Sequence, residues 1–133
     1  MNTTYFLNCV AGNLFQSKTD PALPAEYYVG LSTTSPAIDG TGVTEPTSDP
    51  DYSRAKITSL TEPINGMVTN ASAIGFNEST IDWGTITHYA IYDTVSEGNL
   101  LMFGPLERER RVEEATIMTI KAGTLTLSVL NPA

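Results

Sequence analysis

Apolar and polar residues alternate most regularly near the end of the chain, where Thr126 and Ser128 separate Leu125, Leu127 and Val129. Alternation with a period of two is typical of a β-strand with one buried face. We therefore predict a strand over 124–130 with these three apolar side chains pointing inward. Other short apolar runs, bounded by Gly, Pro, Asn and Asp, predict strands at 27–31, 52–57, 67–70, 72–77 and 115–120.

Residues 83–104 predict the central β-hairpin of the fold. Two runs rich in aromatic and β-branched residues flank the turn Glu97-Gly98-Asn99. Strict alternation assigns Ile86, His88, Ala90 and Tyr92 to one face of the first strand and Tyr89 and Ile91 to the other. Neither face is polar, so we expect this strand to lie centrally with both faces at least partly covered.

The start of the chain has helical spacing instead. Phe6, Cys9 or Val10, and Leu14 recur on one face after the possible capping residues at 2–4, which predicts a helix over 3–16. An extended start at 5–7 is the alternative. With the strands, this predicts a mainly β, single-domain antiparallel β-sandwich over 1–133, jelly-roll-like, with 1–20 as a short N-terminal helix or arm.

Two segments lack the apolar residues of a core element. Residues 32–52 combine Thr, Ser, three Pro and two Gly with four acids and no base, which predicts a long surface loop. Residues 107–114 alternate acids with Arg108, Arg110 and Arg111, so their charges largely cancel. We expect this second segment to be a solvated loop or a subunit contact.

Charge and composition exclude several classes of function. The formal net charge of -8 repels phosphate backbones, so we expect no nucleic-acid partner. No apolar run approaches the ~20 residues of a membrane span, so we expect a soluble protein with no membrane partner. The single Cys9 cannot form an internal disulfide, and the first residues do not have the pattern of a signal peptide.

Catalytic chemistry has weak support in this sequence. A nucleophile–His–acid triad would need the only imidazole, His88, which lies inside a predicted strand and is better interpreted as packed and structural. Cys9 has no neighbouring base that would lower its pKa. The carboxylates at predicted strand ends that could form a glycosidase pair are Asp82, Asp93, Glu97 and Glu107. In a chain with fifteen acids, however, some such pair is inevitable. We predict no catalytic residue.

Two binding chemistries are weighed in the same way. Asp39, Asp49 and Asp51 share one loop and could hold calcium, but their spacing matches no EF-hand, so we predict neither a metal site nor a cofactor. Trp83 could stack on a sugar ring, although the turn around Gly84 favours packing against the sheet. Tyr52 has the same ambiguity, since tyrosines serve both cores and binding surfaces.

Several motifs resemble a family of small tailed-bacteriophage virion proteins, described as tail-fibre-like or phage structural proteins. These motifs are Tyr28-Val29-Gly30-Leu31-Ser32-Thr33, Tyr52-Ser53-Arg54-Ala55, Trp83-Gly84-Thr85-Ile86-Thr87-His88-Tyr89-Ala90-Ile91-Tyr92-Asp93, Gly98-Asn99-Leu100-Leu101 and Ala122-Gly123-Thr124-Leu125. The resemblance implies a β-sandwich subunit that acts by assembly and not by catalysis. It also implies a virion protein made and assembled in the cytoplasm of a bacterial host.

Two hypotheses of function follow. The first is a subunit of a tail fibre or baseplate, or a head decoration, that is homo-oligomeric and contacts copies of itself and other virion proteins. Its candidate assembly contacts are Tyr5, Phe6, Leu14, Asp39, Asp49 and Tyr52. The alternative is a carbohydrate-binding module that recognises a glycan of the host surface through Trp83 and Tyr52.

Overall fold

A computed structural model describes residues 1–129, which form one helix and eight short or medium strands. The helix α1 spans Thr4–Phe15. The strands are β1 (Tyr28–Ser32), β2 (Ala55–Lys56), β3 (Met67–Thr69), β4 (Ile74–Gly75), β5 (Gly84–Tyr92), β6 (Leu100–Val112), β7 (Thr119–Ile120) and β8 (Thr126–Ser128). The predicted helix and the mainly β composition are confirmed.

All strand pairings are antiparallel. One sheet has the order β2-β1-β5-β6, so β5 and β6 form the predicted hairpin and β5 lies in the sheet interior. The other strands form two-stranded ribbons, β3 with β8 and β4 with β7. This arrangement is sandwich-like. However, the strands of residues 1–129 form one sheet and two ribbons, which does not establish a jelly roll.

Apolar clusters cover both faces of β5. The main core joins Ile86 and Ile91 of β5 to Phe6 of α1 and to side chains of both ribbons. A second cluster contains Ala90, Tyr92, Leu100 and Phe103, with Val43 of the 32–52 loop packed against it. The central position of β5 is therefore confirmed. The predicted sharing of one face by Ile86, Ala90 and Tyr92 is wrong, because the pairing with β6 is irregular between Ile86 and His88.

The prediction of a charged loop over 107–114 is wrong for most of its length, because β6 continues to Val112. Thr85 pairs with Arg111 and Gly84 with Val112, which is 1% exposed and belongs to the core. Between Arg110 and the pair of His88 with Pro105, residues 106–109 bulge opposite a single residue of β5. Backbone pairing and the buried Val112 hold the strand, while its charged side chains stay in water. Such charges protect an edge strand from aggregation.

Several predicted strands are shorter than the apolar runs that predicted them. The strand expected at 52–57 has two residues, and those at 72–77 and 115–120 also have two each. Leu125 and Leu127 point inward as predicted, but Val129 is 50% exposed because it lies beyond the last pair of the β3–β8 ribbon. Leu130, the last residue of that predicted strand, lies outside the described residues.

Side-chain hydrogen bonds fix the start of α1 on β6. The hydroxyl of Thr3, the N-cap, accepts from the N–H of Phe6 and donates to the carbonyl of Leu100 at 2.7 Å. Phe6 and Cys9 are buried, as expected for the inner face. The assignment of Leu14 to that face is wrong, since Leu14 is 66% exposed.

The 32–52 loop has no helix or strand between β1 and β2, yet buried Asp49 anchors it to the sheet. The carboxylate of Asp49 accepts from the indole N–H of Trp83 at 2.8 Å, from the backbone N–H and hydroxyl of Thr80, and from the N–H of Asp51. Burial raises the pKa of Asp49, but these hydrogen bonds outweigh it and hold the pKa well below its usual range. Asp49 therefore stays ionised and fixes the loop to the turn before β5.

A second anchor is the buried ion pair of Glu45 with Arg54. Arg54 Nη2 lies 2.9 Å from Glu45 Oε2, with the two side chains 6% and 11% exposed. The guanidinium also stacks 3.5 Å from the ring centre of Tyr92 and donates to the carbonyl of Thr94. Tyr52 donates to Glu45 at 2.6 Å. Burial and the charge of Glu45 raise the pKa of Tyr52, so this hydroxyl keeps its proton.

Gly30 provides the space for the second anchor. A Cβ at Gly30 would lie 2.5 Å from Glu45 Oε1 and 3.3 Å from the Tyr52 hydroxyl oxygen. We expect Gly30→Ala to lower the free energy of unfolding by about 2 kcal/mol, because overpacking forces the ion pair apart. Urea unfolding followed by circular dichroism measures this loss.

The matched control for that substitution is Gly75→Ala in β4. A Cβ at Gly75 meets no atom within 4 Å, so the same change should leave stability nearly unaltered. Equal losses in the two variants would contradict the proposed crowding at Gly30.

The Asp49 anchor predicts a specific pH dependence. The pKa of Asp49 is lower in the folded chain than its ordinary value of 3.8, so the folded state holds fewer protons on this group. Its stabilisation is complete above that value and is lost as the pH falls below it. We expect Asp49→Asn to lower the melting temperature at neutral pH, because an amide cannot replace both accepting oxygens.

The deficit of Asp49→Asn should begin to shrink as the pH falls below about 4, because the carboxylate then takes up a proton in the unfolded chain while it stays ionised in the folded chain. Thermal unfolding at a series of pH values measures this difference in melting temperature. Asp51→Asn is the control, because Asp51 is exposed and gives Asp49 only its backbone N–H. A deficit that is constant with pH would argue against an ionised anchor.

Candidate assembly surfaces

An apolar stripe runs along the outer face of α1. Leu7, Ala11, Leu14 and Phe15 have the spacing i, i+4, i+7 and i+8, which places them on one side of a helix. Leu14 is 66% exposed, Phe15 84% and Leu7 36%. We call these four residues the α1 stripe.

The helix that bears the α1 stripe carries no charge. None of the 12 residues of Thr4–Phe15 is Asp, Glu, Lys or Arg, although the inner face, with Phe6 and Cys9, already packs on the sheet. A helix that is apolar on both sides is typical of one buried on both sides. The stripe is therefore suited to a contact with another protein.

Within the 32–52 loop, a tight turn exposes Ile38 and Asp39. We call these two residues the loop tip. The N–H of Ala37 donates to Thr41 and the N–H of Gly40 donates back to Ala37. Asp39 accepts from the hydroxyl of Thr41 at 2.6 Å and from its N–H, and these bonds lower the pKa of Asp39. Ile38 is 51% exposed. The tip thus presents a carboxylate beside an apolar side chain on a defined turn.

An open groove of about 520 Å³ lies between the bulge of β6 and the β7 region. Its lining combines the charged side chains of Glu107, Arg108, Arg110 and Lys121 with the apolar Leu106, Met118 and Ile120. We call it the cationic groove, because three bases face one acid.

Most of the cations without an acidic partner gather in this groove. The chain has seven Lys and Arg residues, of which Arg54, Lys56 and Arg111 form ion pairs with Glu45, Glu26 and Asp82. Within residues 1–129, the other four have no ion pair, and Arg108, Arg110 and Lys121 line the groove. In a chain of net charge -8, this is a local concentration of positive charge.

The predicted contact residues divide into two groups. Tyr5, Leu14 and Asp39 are exposed and available to a partner. Phe6 and Asp49 are 4% and 1% exposed, and half-buried Tyr52 is bonded to Glu45, so these three serve the chain's own fold. The sequence does not separate the two groups, because interfaces and internal anchors use the same types of residue: apolar, aromatic and acidic.

Trp83 belongs to the core, as the favoured interpretation had it. It is 5% exposed, and its ring meets Tyr52 edge-on, with centroids 5.4 Å apart and planes at 90°. The buried Trp83 ring offers no open face for stacking on a sugar, so this geometry does not support the predicted glycan contact at Trp83. Tyr52 is half-buried, and its hydroxyl is engaged by Glu45.

The surface residues that the prediction missed are of two kinds. Leu7 and Phe15 could have been found, since Phe15 completes the helical spacing from Leu7 through Leu14. Lys121, which follows β7, joins Arg108 and Arg110 of β6 only because all three residues line the same groove. No local signal in the sequence reveals that approach.

The residues considered for catalysis do not converge. His88 is only partly buried and its Nδ1 lies 2.8 Å from the hydroxyl of Thr87, so the predicted full packing of this side chain is not observed. Buried Cys9 contacts the carbonyls of Pro21 and Ala22 at 3.5 Å. Within residues 1–129, no three His, Cys, Asp or Glu side chains are grouped to hold a metal ion. No helix in this range is long and apolar enough to span a membrane.

Comparison with known proteins identifies the family of this chain. A family model described as "Podophage GP4 fiber I protein gp80" matches residues 2–128, which is nearly the whole chain. No curated protein matches. The resemblance to phage structural proteins is therefore confirmed, and the family implies a structural role in the virion in association with other virion proteins. The chain belongs to the podophage GP4 fiber I protein gp80 family of bacteriophage fibre proteins.

Proposed function

We propose that this chain is a non-enzymatic fibre subunit that assembles with copies of itself through the α1 stripe. The observation that carries the proposal is an uncharged helix with Leu14 and Phe15 exposed on its outer face. The fibre named in the family description favours a fibre over a head decoration. The main core, which includes side chains from Phe6 to Leu127, supports a single structural domain. We also propose that the chain is synthesised and assembled in the cytoplasm of the bacterial host.

Electrostatics favour α1 as the surface where copies meet. With a net charge of -8, two copies repel each other at most orientations. A contact between two α1 helices adds no repulsion from the helices themselves, because the helix has no charged residue. A two-fold arrangement would use the same stripe on both copies.

The energetics of this contact are close to balanced. Burying Leu14 and Phe15 of both copies, four side chains in all, contributes at most about 6–12 kcal/mol at about 1.5–3 kcal/mol for each fully buried side chain. Association costs about 4–15 kcal/mol in lost translational and rotational freedom. The stripe alone therefore supports a concentration-dependent association, and a lasting assembly needs a further contact.

The double substitution Leu14→Glu and Phe15→Glu tests the proposal. We expect the unmodified chain to increase in mass with concentration in sedimentation velocity, because the stripe becomes buried between copies. When both chains are compared at high ionic strength, where charge contacts between copies are screened, the doubly substituted chain should remain a monomer with an unchanged melting temperature, since both side chains point to solvent.

The control is Ile64→Glu with Ile117→Glu, which changes two other apolar residues of similar exposure, 69% and 62%. It should associate like the unmodified chain. A monomeric unmodified chain, or equal loss of association in both double variants, would overturn the role of the stripe. Incorporation of each variant into phage particles, measured by immunoblot of purified virions, tests the same contact in assembly.

A further inference from the structure

The cationic groove is a binding surface that the α1 stripe does not use. Its rim holds Arg108, Arg110 and Lys121, which have no acidic partner within residues 1–129, and Glu107 is the one acid among its lining residues. Its apolar residues include Met118 and Ile120, which are 4% and 6% exposed. A partner that fits must present negative charge next to an apolar group.

The loop tip has this combination. Asp39 is exposed and ionised, and Ile38 next to it has half of its surface in water. The turn from Ala37 to Thr41 holds both residues in place, so docking orders little chain. The groove volume of about 520 Å³ lies in the range of sites that enclose a small ligand or a few side chains.

The tip cannot be supplied by the same copy in this fold. The carbonyl of Ile38 accepts from the N–H of Thr4 at 2.9 Å, which holds the tip at the start of α1. Neither Ile38 nor Asp39 lines the groove. An occupant with this chemistry therefore comes from another molecule.

We propose that the cationic groove of one copy receives the Ile38–Asp39 tip of a second copy. The inference rests on the proposed function in that it supplies the further contact which the α1 stripe needs. The two surfaces differ, so the contact is head to tail and repeats from copy to copy or closes into a ring. Ion pairs on an open rim are weak singly and are screened by salt, so this contact is salt-sensitive, unlike the apolar stripe.

The test uses a background chain with Leu14→Glu and Phe15→Glu, so that association through the stripe is absent. At low ionic strength we expect this background to self-associate in sedimentation equilibrium, and added salt should dissociate it. Arg108→Glu with Arg110→Glu should weaken the association constant by about tenfold or more, and Asp39→Lys should do the same. Combining the groove and tip reversals in one chain should restore association.

Matched controls separate this contact from a general effect of charge. Lys18→Glu with Lys56→Glu makes the same change of net charge outside the groove, and Asp51→Lys reverses an exposed acid elsewhere in the loop. Both should keep the association of the background chain. Circular dichroism of each variant verifies that it is folded.

The outcomes distinguish the two proposals. Three results would overturn the docking of the tip in the groove. The background chain could stay monomeric at low salt, the charge reversals could weaken association no more than their controls do, or the combined variant could fail to regain association. None of these results bears on the α1 stripe, which is tested separately at high ionic strength by the unmodified chain, its stripe variant and the matched control variant.

Discussion

The buried ion pair of Glu45 with Arg54 is the interaction on which the surface of this protein depends. It joins the 32–52 loop to β1 beneath it and to the turn after β5, because Arg54 also donates to the carbonyls of Thr94 and Glu97. Removing water from two charges is costly, and only the many additional hydrogen bonds make such a pair favourable. With either partner missing, the other charge would be left buried and unpaired, so both residues are needed to hold this part of the loop.

Charge and apolar surface are concentrated on different elements of this fold. The surface helix α1 has no charge at all, whereas the edge strand β6 carries five consecutive charged side chains from Glu107 to Arg111. An uncharged helix invites association, and a charged edge opposes strand pairing. The two features together restrict which faces of the subunit can meet, which suits a protein that must assemble in one way.

Local patterns predicted the elements whose own residues decide their structure. The helix at the start, the hairpin around the Glu97-Gly98-Asn99 turn and the long loop all follow from spacing and turn residues within one segment. Tertiary contacts decided the rest. Asp49 anchors the loop because it accepts a hydrogen bond from Trp83, 34 residues away in the sequence. β6 includes the charged residues because Val112, which follows them, lies in the core. The groove depends on the bulge of β6 and the residues around β7 lining one space, and no single window of sequence contains both.

Trp83 gives the molecule a reporter of its own state. It is the only tryptophan, its indole N–H is bonded to Asp49 of the loop, and its ring edge meets Tyr52 near the second anchor. Intrinsic fluorescence therefore comes from the place where the loop joins the sheet. Its emission wavelength tells whether the loop is seated, so release of the loop can be observed in solution without any added label.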